Sequence, residues 1–160
     1  MAEIKKIKGV TALKHNELEE VLGVVSEMVK KQGHGLAFDL NKILFDGKKV
    51  LKEFYERLEE AKKGFFESDE KGERLKFVFN GKGDLVEEYK EGKDLPEGYK
   101  LGYKLKDGIN DEFNEMLKSF DAELLNVNFK PLDEKKVTTS FDKGIFDGID
   151  VSYLFGVLIF

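Results

Sequence analysis

The sequence predicts an α+β fold: a long antiparallel helical hairpin with a small antiparallel β-sheet and a short apolar C-terminal helix. Three observations predict it. Leu40, Leu44, Gly47, Leu51, Phe54, Leu58, Ala61 and Phe65 recur at alternating spacings of 4 and 3, the seam of a long packed helix. Within residues 73–107, Leu75, Phe77 and Phe79, and then Tyr99, Leu101, Tyr103 and Leu105, recur at every second position, the period of a strand. Val151 to Phe160 is apolar on nearly all sides, the pattern of a segment that must be buried. A chain of 160 residues is one domain's worth. We divide 1–160 into a helical hairpin (13–66), a β-rich insertion (73–107) and a C-terminal helix–strand–helix part (109–160).

Residues 1–12 are basic, and Ile4, Ile7 and Val10 suit a small strand or a docking arm. The first helix starts at Asn16, since Asn16 and Glu19 have the spacing of a capping box. Leu18, Val21, Leu22, Val25, Met28 and Val29 form its apolar stripe. Glutamates in the first turn and Lys30 and Lys31 in the last suit the helix dipole. Gly23 falls on the opposite face, either a tolerated helix cost or a close contact with another chain. Gly33-His34-Gly35 is a hinge, and the short linker makes the second helix an antiparallel neighbour. Asp46-Gly47 is a turn signal, but the seam keeps phase across it, so one long helix is expected, ending near Gly64. Its distal half, Phe54 to Phe65, outruns the hairpin and needs cover from the rest of the chain or from a second copy.

Ser68 to Gly72 is a solvated turn. Leu75, Phe77 and Phe79 read as a strand, Asn80-Gly81 as a hairpin-turn dipeptide loosened by Gly83, and Leu85 to Tyr89 as a weaker strand. The repeat Gly98-Tyr99-Lys100-Leu101 and Gly102-Tyr103-Lys104-Leu105 places Tyr99, Leu101, Tyr103 and Leu105 on one strand face and the lysines on the other. A helix from about Asp111 follows, with Phe113, Met116, Leu117 and Phe120 as its apolar face. Leu125, Val127 and Phe129 alternate as another strand, limited by Pro131. Asp133 to Gly148 reads as polar loop, and Asp147 or Asp150 as the cap of the final helix.

Composition excludes several function classes. The chain has no Cys and two His, so a disulfide scaffold, a thiolate zinc site, a cysteine nucleophile and a three-imidazole site are ruled out. No run approaches the ~18 apolar residues of a membrane span, and Met1 to Lys6 lacks the apolar stretch of a secretory signal. A net charge of −5, with Arg57 and Arg74 as the only arginines, argues against a nucleic-acid footprint. On the strand Tyr99 to Lys106, tyrosines and lysines lie on opposite faces rather than forming one stacking platform. Fourteen Phe with no Trp read first as an aromatic core and second as a partner surface.

Candidate chemistry is thin. His34, between two glycines, is the best single functional side chain. Its sequence neighbours Asp39 and Lys42 are ordinary helix residues, so it reads as a turn histidine; His15 reads as equally bland. Glu17, Glu19 and Glu20, then Glu53, Glu56, Glu59 and Glu60, then Asp107, Asp111 and Glu112 could supply a magnesium site or an acid–base pair, but solvated helix faces look the same. The sequence contains no EF-hand loop, Walker loop, GxGxxG after a strand or GxSxG elbow. Ser68, Ser119, Ser140 and Ser152 have no activating neighbours.

The order of segments carries a resemblance. Asn16-Glu17-Leu18-Glu19-Glu20-Val21-Leu22 leads into the charged helix Lys48 to Leu58. The polar break Glu67 to Gly72 is followed by Phe113-Asn114-Glu115-Met116-Leu117, Val127 to Leu132, and Ile149 to Leu154. This order resembles small uncharacterised proteins of tailed bacteriophages, over most of the chain. The resemblance implies a virion-associated or assembly protein, or a small host-directed binder, with no catalytic residue to carry over.

Three functions are therefore expected, in order. The first is a non-enzymatic virion or assembly component, without cofactor or metal, acting on other phage subunits or itself in the virion or host cytoplasm. The second is an inhibitor of a host or defence protein. The third is a carboxylate–metal phosphoesterase. Interface candidates are Phe54, Leu58, Phe65, Tyr99, Tyr103, Tyr153, Phe155 and Phe160.

Overall fold

The computed structural model describes residues 10–154, 157 and 158. The elements run β1 (Val10–Leu13), α1 (His15–Val29), α2 (Ala37–Lys63), β2 (Lys76–Phe79), β3 (Leu85–Glu88), β4 (Lys100–Tyr103), α3 (Asn110–Ala122), β5 (Leu125–Asn128), α4 (Glu134–Asp142) and a 3₁₀ turn at Ser152–Leu154. The class is α+β, with small antiparallel sheets beside the helices. Among the described residues no helix is long and apolar enough to cross a membrane. The chain gathers into two compact units. One holds the described residues up to Glu56 and from Asp121 onward, the other Arg57–Phe120. The expected β-rich insertion falls wholly within the second.

In the first unit β1 pairs antiparallel with β5, Leu13 opposite Leu125. Ile4 and Ile7 of the expected N-terminal strand lie outside the described residues; Val10 lies in β1. The ladder decides where α1 begins. Lys14 is still extended, its N–H donates to the Glu17 carboxylate at 3.1 Å, and its carbonyl accepts from Leu18 N–H at 2.9 Å. The helix thus starts two residues earlier than the Asn16–Glu19 spacing predicts, because strand pairing ends at Leu13. The predicted stripe holds: Leu18, Val21, Leu22, Val25 and Met28 are all buried.

Between the helices Gly33 and Gly35 both take positive φ, +86° and +68°, a backbone that side-chain-bearing residues rarely adopt. The residue between them is not displayed as the sequence suggests. His34 is only 6% exposed, with its ring 5.6 Å from that of Phe146. Leu36 carbonyl accepts from Leu40 N–H, which makes Leu36 the cap of α2, and Leu has no polar side chain to serve there. The Nδ1 of His34 accepts the Leu36 N–H at 2.9 Å instead, satisfying a buried donor at the helix start.

Helix α2 runs unbroken through Asp46-Gly47, as the seam predicts. Its antiparallel packing on α1 is read from contacts: Gly47 meets Leu22, and farther along, the Phe54 ring stacks on His15 at 4.9 Å. The buried line is Leu40, Ile43, Gly47 and Phe54, while Leu44 and Leu51 are half-buried.

Two C-terminal expectations are corrected. Residues 134–142, read as loop, form α4. Asp133 caps it, accepting from Lys136 N–H at 2.9 Å, and Val137 and Ser140 are buried. Among the described residues of the expected final helix, only Ser152–Leu154 is helical. Ser152 N–H bonds the Asp150 carboxylate at 3.0 Å and a single 3₁₀ turn follows. The β-branched Val151 and Val157 lower helix propensity here, and Leu132 N–H donates to the Leu158 carbonyl at 3.0 Å. Val151, Leu154, Val157 and Leu158 are buried as expected. Phe155, Gly156, Ile159 and Phe160 lie outside the described residues.

In the second unit β2 is central, in the order β3-β2-β4. The Asn80-Gly81 pair does not make a two-residue turn. Gly83 takes the positive φ, its N–H donates to Asn80 carbonyl at 3.0 Å, and Asn80 N–H donates to Asp84 carbonyl at 2.9 Å. This is a three-residue loop with a bulge, held by Asn80 Oδ1, which accepts from both Lys82 and Asp84 N–H. On β4, Gly102 leaves room for the Phe79 ring, which would lie 2.8 Å from an added Cβ. Helix α3 keeps Phe113, Met116, Leu117 and Phe120 half-buried on one face.

Two glycines in helices separate packing from propensity. A Cβ at Gly47 would lie 2.5 Å from Leu22 Cδ2, whereas one at Gly23 meets nothing within 4 Å. We expect Gly23→Ala to stabilise by up to about 1 kcal/mol and Gly47→Ala to destabilise by about 1–2 kcal/mol, overpacking outweighing propensity. In a Leu22→Ala background Gly47→Ala should turn stabilising. Denaturant midpoints of the four variants check this; a Gly47→Ala effect unchanged by Leu22→Ala refutes the steric account.

Candidate interaction surface

The sequence-predicted interface residues separate on inspection. Phe54 is 1% exposed and stacked on His15, so it belongs to the interior and presents no docking surface. Leu58 and Phe65 are half-buried, the Phe65 ring lying 5.5 Å from Phe113 within the second unit. The far part of the seam is thus partly covered by the chain's own residues. Tyr99 is half-buried and lines a cleft; Tyr103 is 44% exposed. Tyr153 lies in the 3₁₀ turn, its side chain outside the described set, and Phe155 and Phe160 lie outside it altogether.

One polar cluster joins several elements of the first unit. His15 Nε2 lies 3.0 Å from Asp121 Oδ1, His15 Nδ1 lies 3.5 Å from Tyr55 Oη, and that phenol donates to Glu19. The order carboxylate–imidazole–hydroxyl resembles a nucleophile relay, but the chemistry points the other way. Burial, then the hydrogen bond to Glu19 and its charge, push the Tyr55 phenol up to about 12. A group whose proton is harder to remove is a poor nucleophile. The cluster holds the start of α1 against α2 and the end of α3. Among the described residues no three His, Asp or Glu side chains gather as a metal ion would require.

Arg74 organises the second unit. Its guanidinium lies 4.7 Å from the Tyr103 ring centroid and 5.4 Å from that of Phe66, and its Nη2 bonds Glu59 at 2.7 Å. Phe66 in turn meets Phe113 edge-on at 5.5 Å. A planar cation can stack and form an ion pair at once, which lysine cannot reproduce. The hydrogen bond from Arg74 holds the Glu59 carboxyl below its usual range, against slight burial and with help from Lys62.

What stands open to solvent was missed by the first seam. Phe38 is 79% and Phe45 71% exposed, extreme for aromatic side chains in a folded chain. A second 4–3 series on α2, Phe38, Lys42, Phe45, Lys49 and Lys52, shares the face opposite Leu40 and Gly47, and this spacing was available in the sequence. The two rings sit about 10 Å apart along the axis, among exposed lysines. Lys42 also reaches Asp46 at 2.8 Å.

The second unit carries a cleft of about 310 Å³ beside its sheet. Val78, Val86, Leu95, Pro96, Tyr89 and Tyr99 supply its apolar lining, and Glu87, Glu88 and Asp94 its acidic groups, with Lys93. Lys93 Nζ bonds Glu87 at 2.7 Å, and this bond, followed by the attraction of its charge, holds the Glu87 carboxyl below the usual range. No family model, no curated protein and no solved structure matches this chain.

Arg74→Lys keeps the charge but loses the stack, so it should destabilise by about 1–2 kcal/mol, read from denaturant midpoints. Because the Glu59 pKa is lowered on folding, its contribution is present above its ordinary value of 4.5 and lost as pH falls through the lowered value. Glu59→Gln should therefore be less stable than the native chain at neutral pH, with the gap closing as the pH falls below 4.5 and through the lowered value. A gap that is constant with pH refutes the pairing.

Proposed function

We propose that this chain is a non-enzymatic protein-interaction component of a bacteriophage particle or of its assembly pathway. The observation that carries the reading is the pair of solvent-facing rings, Phe38 and Phe45, on one exposed, charged face of α2. Exposed large apolar side chains grouped on one face and rimmed by polar groups mark interaction sites. Two aromatics at i and i+7 are the anchor pattern of a helix docked on a partner. The buried part of the C-terminal segment and the enclosed Phe54 do not support this reading, which rests on α2 instead. The phage setting is supported by the resemblance in segment order. The relay-like cluster at His15 offers no activated nucleophile, which weighs toward binding rather than turnover.

The test mixes the purified chain with capsid and tail proteins and reads complex mass by light scattering. We expect one defined complex, weakened at least about tenfold by Phe38→Ala/Phe45→Ala, with the variant's circular dichroism unchanged because both rings are exposed. A complex indifferent to that double substitution, or none with any virion component, refutes the reading. Capture of one stoichiometric host protein through the same face would make the chain an inhibitor instead.

A further inference from the structure

We propose that Asn80 is a self-modifying site: its carboxamide converts to aspartate and isoaspartate in the folded chain, and the isoaspartate form loosens strand β3 from β2. Asn80-Gly81 is the chain's only asparagine followed by glycine. The turn itself does not require that glycine. Gly81 takes no positive φ, and a Cβ there would meet Gly98 carbonyl oxygen at 3.7 Å, an ordinary contact.

Glycine suits the chemistry instead. The Gly81 nitrogen loses its proton and bonds to Asn80 Cγ; the Cγ–Nδ2 bond breaks, and ammonia leaves with that proton. Water then opens the resulting five-membered imide at either carbonyl, giving aspartate or isoaspartate. Both reacting groups are prepared. Gly81 is exposed, its N–H donates to no described residue, and no side chain hinders its approach. Asn80 Oδ1 accepts from Lys82 and Asp84 N–H, each at 2.9 Å. Two backbone donors on one carbonyl oxygen stabilise the negative charge that builds there as the nitrogen adds. The bond to Lys82 also closes an Asx-turn, a ring that contains both Asn80 Cγ and the Gly81 nitrogen. Isoaspartate changes the turn most. The side chain becomes main chain, so the Oδ1 anchor is lost, and the former Asn80 carbonyl, which accepts Gly83 N–H at 3.0 Å, becomes a carboxylate. The loop that fixes the pairing of β2 with β3 then no longer closes.

Peptide mapping by mass spectrometry, on the purified folded chain aged at neutral pH, tests this. The peptide bearing Asn80 should gain the mass difference between an acid and an amide and separate into aspartyl and isoaspartyl forms. Peptides bearing Asn41, in α2, and Asn126 and Asn128, in β5, should stay unchanged. Gly81→Ala should convert no faster than those controls and keep the wild-type circular dichroism, since its Cβ fits. Hydrogen exchange reads the consequence. Tyr89 N–H, which donates to Lys76 carbonyl at 2.8 Å beyond the end of β3, should lose protection in the aged isoaspartyl chain. A freshly made Asn80→Asp chain, which carries the acid without the added main-chain atom, should keep it. Conversion that occurs only after unfolding in urea overturns the inference. So does a Gly81→Ala chain that converts as fast as the wild type, or an isoaspartyl chain with Tyr89 protected as before.

Discussion

The absence of a side chain at position 47 is the constraint on which the first unit depends. Helices α1 and α2 meet there, and Leu22 occupies the space a Cβ would need. That approach sets the register of the pair. It brings Phe54 under His15 and Tyr55 to Glu19, and His15 in turn to Asp121. Glycine in a helix interior costs about 1 kcal/mol relative to alanine, and here it is offset by contact between two long apolar faces. The same residue, read with Asp46, looks like a helix breaker. Packing overrides that local signal, as tertiary context commonly does.

The second unit is held by different means. Val78 is its one fully buried apolar residue among those described, and aromatic rings arranged around Arg74 provide much of the rest. Such a cluster depends on orientation as well as area, since the cation must lie over ring faces while its nitrogens reach a carboxylate. A unit with so little buried aliphatic surface belongs to the low-stability end of its protein. Loop Lys90 to Gly98 and strand β3 are exposed almost throughout, so the cleft at Leu95 and Pro96 lies against thinly covered chain.

Much of the fold was legible because periodicity survives packing. The 3.6-residue stripe of α1, the unbroken α2, the face of α3 and the alternation of Leu125, Val127 and Phe129 all follow from spacing. What was not legible depends on residues distant in sequence. The start of α1 is set by the pairing of Leu13 with Leu125, so a local cap motif two residues later misleads. Thr138, Thr139 and Ser140 mask α4, whose signal is Asp133 followed by Val137; Ser140 is accommodated by donating its hydroxyl to Lys136 carbonyl at 2.7 Å. His34 sits between glycines, which suggests display, but its lone pair is needed by a helix cap that cannot supply its own. At the surface, the first 4–3 series drew attention to residues that pack inward. The second, through Phe38 and Phe45, shows how a long helix can carry two patterns, one buried and one exposed.

The sheet of the second unit has unlike borders. Strand β3 ends in Glu87 and Glu88, while β4 begins with Lys100 and is followed by Lys104. Unpaired strand borders invite other strands, and charge is a common guard against it. Here each border repels its own kind and not the other. The guard is also unequal toward acid: lysines keep their charge as pH falls, whereas carboxylates lose theirs, and Lys93 delays that loss at Glu87. Acidification therefore unguards one side of the sheet alone, and unwanted stacking would begin there.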